Sequence, residues 1–238
     1  MRLRLSSVAG AFVLFAMLAF GGPAGALAQA TPEASPDFRP DDLPGFQQGI
    51  ARSYSADLSA LFATPTTAEA TPDYASLGVV TLSTVILAFD SEDSAASTYD
   101  TVVQQVTSPA STGGIELKEL TVQELSGPTN AYTASIEQGE GLTLHQVVLL
   151  TQDGPYIYQT IAIALSTPED AQAFAVAVAQ AMIAAPAGEG EGTFSQDGTS
   201  TGGAWDKFPK TGDPVLKGLS VEMDDRFEPA TGVSTPQA

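Results

Sequence analysis

Cysteine is absent from this chain of 238 residues, and histidine and tryptophan occur once each. Without thiols there can be no disulfide, no thiolate nucleophile and no zinc–thiolate or iron–sulfur centre. The lone histidine, His145, leaves too few nitrogen ligands for a zinc or copper site. As a general base it would need a partner and a reacting group nearby, and its neighbours in sequence supply neither. Basic residues are scarce: nine Lys and Arg stand against 28 Asp and Glu, a net charge of −19. Such a chain repels phosphate backbones and anionic lipid surfaces, which excludes electrostatic binding of nucleic acid or of a membrane surface. Gly-x-Ser-x-Gly and Ser-x-x-Lys are both missing, so serine acyl chemistry lacks its usual signatures. The glycines at 188–192 alternate with glutamates, which would repel phosphate rather than cradle it. Acidic groups such as Glu222, Asp224 and Asp225 lack the spacing of a calcium loop, so no metal or other cofactor is expected.

Long apolar runs are also missing. The most apolar stretch covers residues 8–20, well short of the roughly 20 residues that a membrane-spanning helix needs. It follows the basic start Met1-Arg2-Leu3-Arg4 and precedes Gly22-Pro23 and the small-residue sites Ala26-Leu27-Ala28 and Ala28-Gln29-Ala30. That order fits a cleaved secretory signal over residues 1–30. The expected product is exported, periplasmic or extracellular. It carries no lipid-attachment cysteine and no integral membrane segment after cleavage. Removing Arg2 and Arg4 from the nine bases leaves seven against 28 acids, a net charge of −21.

Composition divides the remainder. Residues 31–44 and 64–73 share Ala-Thr-Pro punctuation and read as linkers, as does the Gly/Glu/Ser stretch 187–203. An apolar arm at 45–63 and a tail at 204–229, with the only Trp, flank a core at 74–186; residues 230–238 read as a frayed end. In the arm, Phe46, Ile50 and Tyr54 suit a helix before Tyr54, while the alternation beyond it leaves the rest open. Within the core, residues 79–89 are β-branched and apolar on both parities, a strand buried on two faces over its second half. Ser91 with Glu92 and Asp93, and Thr167 with Pro168, Glu169 and Asp170, mark two helix starts. Residues 115–125 alternate with a phase slip near Glu119 that predicts a bulge. Strands are expected over 131–137, 142–151 and 156–165, the last two joined at Asp153-Gly154.

If Asp153-Gly154 is a two-residue turn, residues summing to 307 face each other across the hairpin. One face then carries Leu144, Val148, Leu150, Ile157, Ile161 and Ile163 and suits the helices. The other carries His145, Val147, Leu149, Thr151, Tyr156, Tyr158, Thr160 and Ala162, too apolar for an ordinary wet surface. It needs a cover: a ligand, or the arm and tail, since six of the seven remaining bases lie outside the acidic core and would complement it.

These features predict an α+β fold, a two-layer sandwich with an antiparallel sheet of about five strands in the order β-α-β-β-β-β-α. Both helices would lie on one face, flanked by the arm and the tail. Tyrosine offers an apolar body with a polar tip, so Tyr132, Tyr156 and Tyr158, with His145, are the candidate ligand-binding residues. No residue is expected to be catalytic. The leading reading is an exported non-enzymatic module that binds a small apolar ligand or a protein partner. Two alternatives stand beside it: a secreted hydrolase using carboxylates, and an envelope-associated structural protein with Ala-Thr-Pro spacers.

Overall fold

The computed structural model describes residues 42–57, 78–139 and 142–228. The signal, the linker at 64–73 and the C-terminal end at 230–238 lie outside them. Seven strands form one antiparallel sheet in the order β3-β4-β5-β6-β2-β1-β7. They are β1 (Phe46–Ser55), β2 (Val79–Phe89), β3 (Lys118–Leu120), β4 (Thr129–Gly139), β5 (Leu142–Asp153), β6 (Tyr156–Ala164) and β7 (Ser220–Phe227). Two helices pack on it, α1 (Glu92–Val106) and α2 (Pro168–Ala184). The fold is thus α+β with a seven-stranded sheet rather than about five strands, because segments flanking the core each add one.

The helices start where the capping residues place them. The Ser91 hydroxyl accepts from the Ser94 amide at 3.2 Å, and the Thr167 hydroxyl from the Asp170 amide at 3.0 Å. Each first turn carries two acids, which favour the positive end of the helix dipole.

They do not share a face, however, and this corrects the two-layer expectation. Ala95, Tyr99, Val102 and Val103 of α1 pack with Val148, Leu150, Ile157 and Ile161. Phe174, Val178 and Met182 of α2 pack with Val147, Leu149, Tyr158 and Ala162 on the opposite side. The cause lies in the strands: β5 and β6 are apolar on both parities, so each side of the sheet needs its own helix. A further cluster, Val80, Leu144, Ile163 and Leu165, continues the α1 side towards the other end of these strands.

The β5–β6 hairpin differs from expectation by one step. Asp153 pairs with Tyr156, so opposite residues sum to 309 and the loop is Gly154-Pro155. Gly154, at φ +54°, supplies the left-handed conformation. A shift of two in the sum preserves parity, so every residue keeps its expected face.

Residues 46–55 form a strand, against the expected helix. Ile50 and Tyr54, four residues apart, share a face in a helix or in a strand and both join the α2-side core, whereas a bulge before Gln48 turns Phe46 to the α1 side. Two partners decide between them: β1 inserts between β2 and β7. The expected strand at 115–125 shrinks to three residues. At the phase slip the chain changes sides instead of bulging. Leu120, Val122 and Leu125 pack against the α2-side core, and the Gln172 and Gln180 side chains of α2 donate to the carbonyls of Thr121 and Glu124.

Candidate functional site

Between α2 and β7 the chain folds over the sheet face that carries Tyr158. Trp205, Phe208, Leu216 and Leu219 join the α2-side core, each no more than 2% exposed. At their centre Arg52 donates from Nε to Asp224 Oδ1 at 2.7 Å and from an Nη to Asp224 Oδ2 at 3.0 Å. That nitrogen also donates to the Ser200 carbonyl at 2.9 Å, and the Ser200 amide donates back to Asp224 at 3.0 Å. The guanidinium stacks 5.3 Å from the Phe208 ring and 5.7 Å from the Trp205 ring, where the ring faces attract a cation.

The Gly/Glu/Ser stretch brings Ser200 to this pair. It closes on itself through a Thr193–Thr201 bridge and through Gly188, whose amide donates to the Gly203 carbonyl at 2.7 Å. Asp197 holds its tip by accepting from Ser195 and Thr199, and the Thr199 and Ser195 hydroxyls keep that carboxyl below the usual range.

Lys207 completes the cover. Its Nζ donates to the carbonyls of Ala185 at 2.8 Å and Met182 at 3.4 Å, at the end of α2, whose last turn has no base of its own. It sits 5.1 Å from the Tyr156 ring and 5.6 Å from the Tyr158 ring. Burial pushes its pKa below the ordinary lysine value, partly offset by Asp153.

The four residues singled out in the sequence therefore do not meet. Tyr156 and Tyr158 lie side by side, ring centroids 6.0 Å apart, with Tyr158 only 1% exposed. His145 shares their face but is six residues along β5 from Thr151, the partner of Tyr158, a separation of about 20 Å. Its Nδ1 is 3.0 Å from the Ser135 hydroxyl. Among the described residues no group of three or more His, Cys, Asp or Glu could hold a metal ion.

Tyr132 sits on the α1 side, opposite Val148, and lines an open cleft of about 320 Å3. The cleft forms where α1 ends. Thr107 caps the helix, and one further helical turn, Pro109–Thr112, starts on the Ser108 hydroxyl, which accepts from the Ser111 amide. Gly113 and Gly114, at φ +62° and +81°, then reverse the chain. Thr107, Pro109 and Thr112 form one wall; Ile115, Glu116 and Leu117 form another. Glu119 lies beside Tyr132, its partner in the β3–β4 ladder. The adjacent Lys118 pairs with Thr133 and so belongs to the other side of the sheet. The sequence marked the end of α1 at Pro109 to Gly114. It gave no sign that this turn would close over a tyrosine from β4.

No family model matches the chain, and neither a curated protein nor a solved structure matches it.

Proposed function

We propose that this chain is an exported, non-enzymatic module that takes a small ligand, or a side chain of a protein partner, into the cleft at Tyr132. One observation carries the reading. Tyr132 lines a concave surface, with apolar, hydroxyl and carboxylate groups gathered around its half-buried ring. Small-molecule sites have this make-up, and about 320 Å3 is at the small end of their range. Tyr156 and Tyr158 serve instead as a bed for Lys207.

A carboxylate hydrolase is the second reading, favoured by Glu116 and Glu119 lining one cleft. Glycoside hydrolysis uses one acid kept protonated by an apolar surround. Both glutamates are exposed, so binding is the better supported of the two.

Amide chemical-shift mapping with small amphipathic probes tests the binding reading. Shifts should gather at residues 107–119 and 132 and vanish in Tyr132→Ala. A cleft that no probe perturbs at millimolar concentration would sink it. Export rests on residues 1–30 and is checked by N-terminal mass spectrometry of protein recovered outside the cytoplasm, with a start at Gln29 or Thr31 expected.

A further inference from the structure

We infer that the Tyr132 cleft is selective for an organic cation, an ammonium or guanidinium group on an apolar stem. The inference rests on the binding reading above and adds the chemistry of the ligand.

Three independent features converge. Glu116 and Glu119 both line the cleft, and among the described residues no basic side chain lines it. The nearest base in sequence, Lys118, is turned to the opposite side by strand alternation. The second feature is the end of α1. This helix of 15 residues reaches the cleft through Thr107, and its last turn has no basic residue. The negative end of its dipole is therefore left without a cationic side chain from its own turn. The third is the Tyr132 ring, whose face attracts a cation where the apolar wall of Pro109, Ile115 and Leu117 accommodates a stem. A chain of net charge −19 adds a long-range field that concentrates cations and repels anions.

A free amine and a Lys or Arg side chain of a partner protein share this chemistry. The test has arms for each. The full chain is titrated with n-hexylammonium, its neutral isostere n-hexanol and the anion hexanoate, followed by amide shifts. Nα-acetyl-arginine methylamide supplies the side-chain arm.

Hexylammonium should bind at residues 107–119 and 132 about five-fold or more tighter than hexanol, and hexanoate should not bind. E116Q/E119Q, at exposed positions, should bring hexylammonium down to the level of hexanol. Raising salt to 0.5 M should weaken hexylammonium and leave hexanol unchanged. Tighter binding of the arginine derivative than of hexylammonium identifies a protein side chain as the source, and the reverse order identifies a free amine. Either order supports the proposal.

Equal binding of hexanol and hexylammonium, both lost in Tyr132→Leu, overturns the cation selectivity and leaves the binding reading standing. Hexylammonium binding as tight in E116Q/E119Q as in the parent, or shifts that scatter over other acidic surfaces, also overturn it. If no probe moves the cleft amides, both inferences fall together.

Discussion

Arg52 and Asp224 form a bidentate ion pair across the β1–β7 ladder although 172 positions separate them. Their side chains are 3% and 0% exposed, and each also bonds to the Ser200 backbone. A buried pair gains little net stability over apolar residues of the same shape, yet losing one partner strands the other charge. Arg52→Met should therefore cost about 3–5 kcal/mol in urea unfolding. Arg52→Met with Asp224→Leu should recover part of that. The Ser200 amide and carbonyl lose their partners in the double variant, so recovery should be incomplete. Trp205, 1% exposed, reports the same event: its blue-shifted emission should move red at lower urea in Arg52→Met. Equal stability of single variant and parent would show that the pair does not hold the tail.

Alkaline pH should unfold the protein through its tyrosines. Burial raises the pKa of Tyr54, Tyr99 and Tyr158 above the ordinary value of 10.0. The unfolded chain gives up these protons first, so their contribution is complete below about pH 10 and falls away above it. The slope is about 1.4 kcal/mol per pH unit for each tyrosine. Phenolate absorbance from these three should appear only together with loss of far-ultraviolet dichroism. Their ionisation in a chain that keeps its dichroism would contradict the prediction.

The same tyrosines should differ on losing their hydroxyls. Tyr54 donates to the Pro209 carbonyl and Tyr99 to the Leu150 carbonyl, both at 3.0 Å, whereas the Tyr158 hydroxyl has no partner among the described residues. Tyr54→Phe and Tyr99→Phe should each cost about 1 kcal/mol. Tyr158→Phe should be neutral or stabilising, and a cost equal to the other two would refute the assignment. Thermal melts of the three variants are sufficient.

Lys207 substitutes for the base that α2 lacks in its own last turn. Lys207→Met keeps the stem but removes two charged hydrogen bonds and the contact with both tyrosine rings. A loss of about 1.5–3 kcal/mol is expected. Hydrogen exchange should rise first at residues 181–185; uniform exchange along α2 would contradict the capping role.

Gly127 fits where no other residue does. A Cβ there would lie well inside van der Waals contact distance of the Gln152 carbonyl oxygen, a backbone atom that cannot turn aside. Gly127→Ala should cost about 1–3 kcal/mol through strain where the chain enters β4, read as a lower urea midpoint. A midpoint matching the parent would mean that this approach relaxes freely.

Local chemistry was legible in the sequence, and long-range placement was not. Ser91 and Thr167 announce their helices because a cap acts within four residues. The face of each residue in β5 and β6 follows from alternation and survives a register change of two. What alternation cannot tell is which helix covers which face, since both faces of β5 and β6 are apolar and each helix has apolar residues to bury. β1 was ambiguous because a spacing of four serves both periods, and its partners come from residues 79–89 and 220–227. The cleft was hidden for a related reason. Glu116 and Glu119 look like surface acids until a tyrosine from another strand arrives beside them.

The first strand of this sheet is clamped against the last, and that has a consequence in time. While residues beyond β1 are being made, its outer edge has no mate, and Arg52 has no counter-ion until Asp224 exists. At about 5–20 residues per second, roughly 10–30 s pass between the synthesis of β1 and that of β7. Through that interval the chain cannot settle into its final state. Until then Arg52 has no counter-charge to be buried with, so the closing step of folding waits on the far end of the chain.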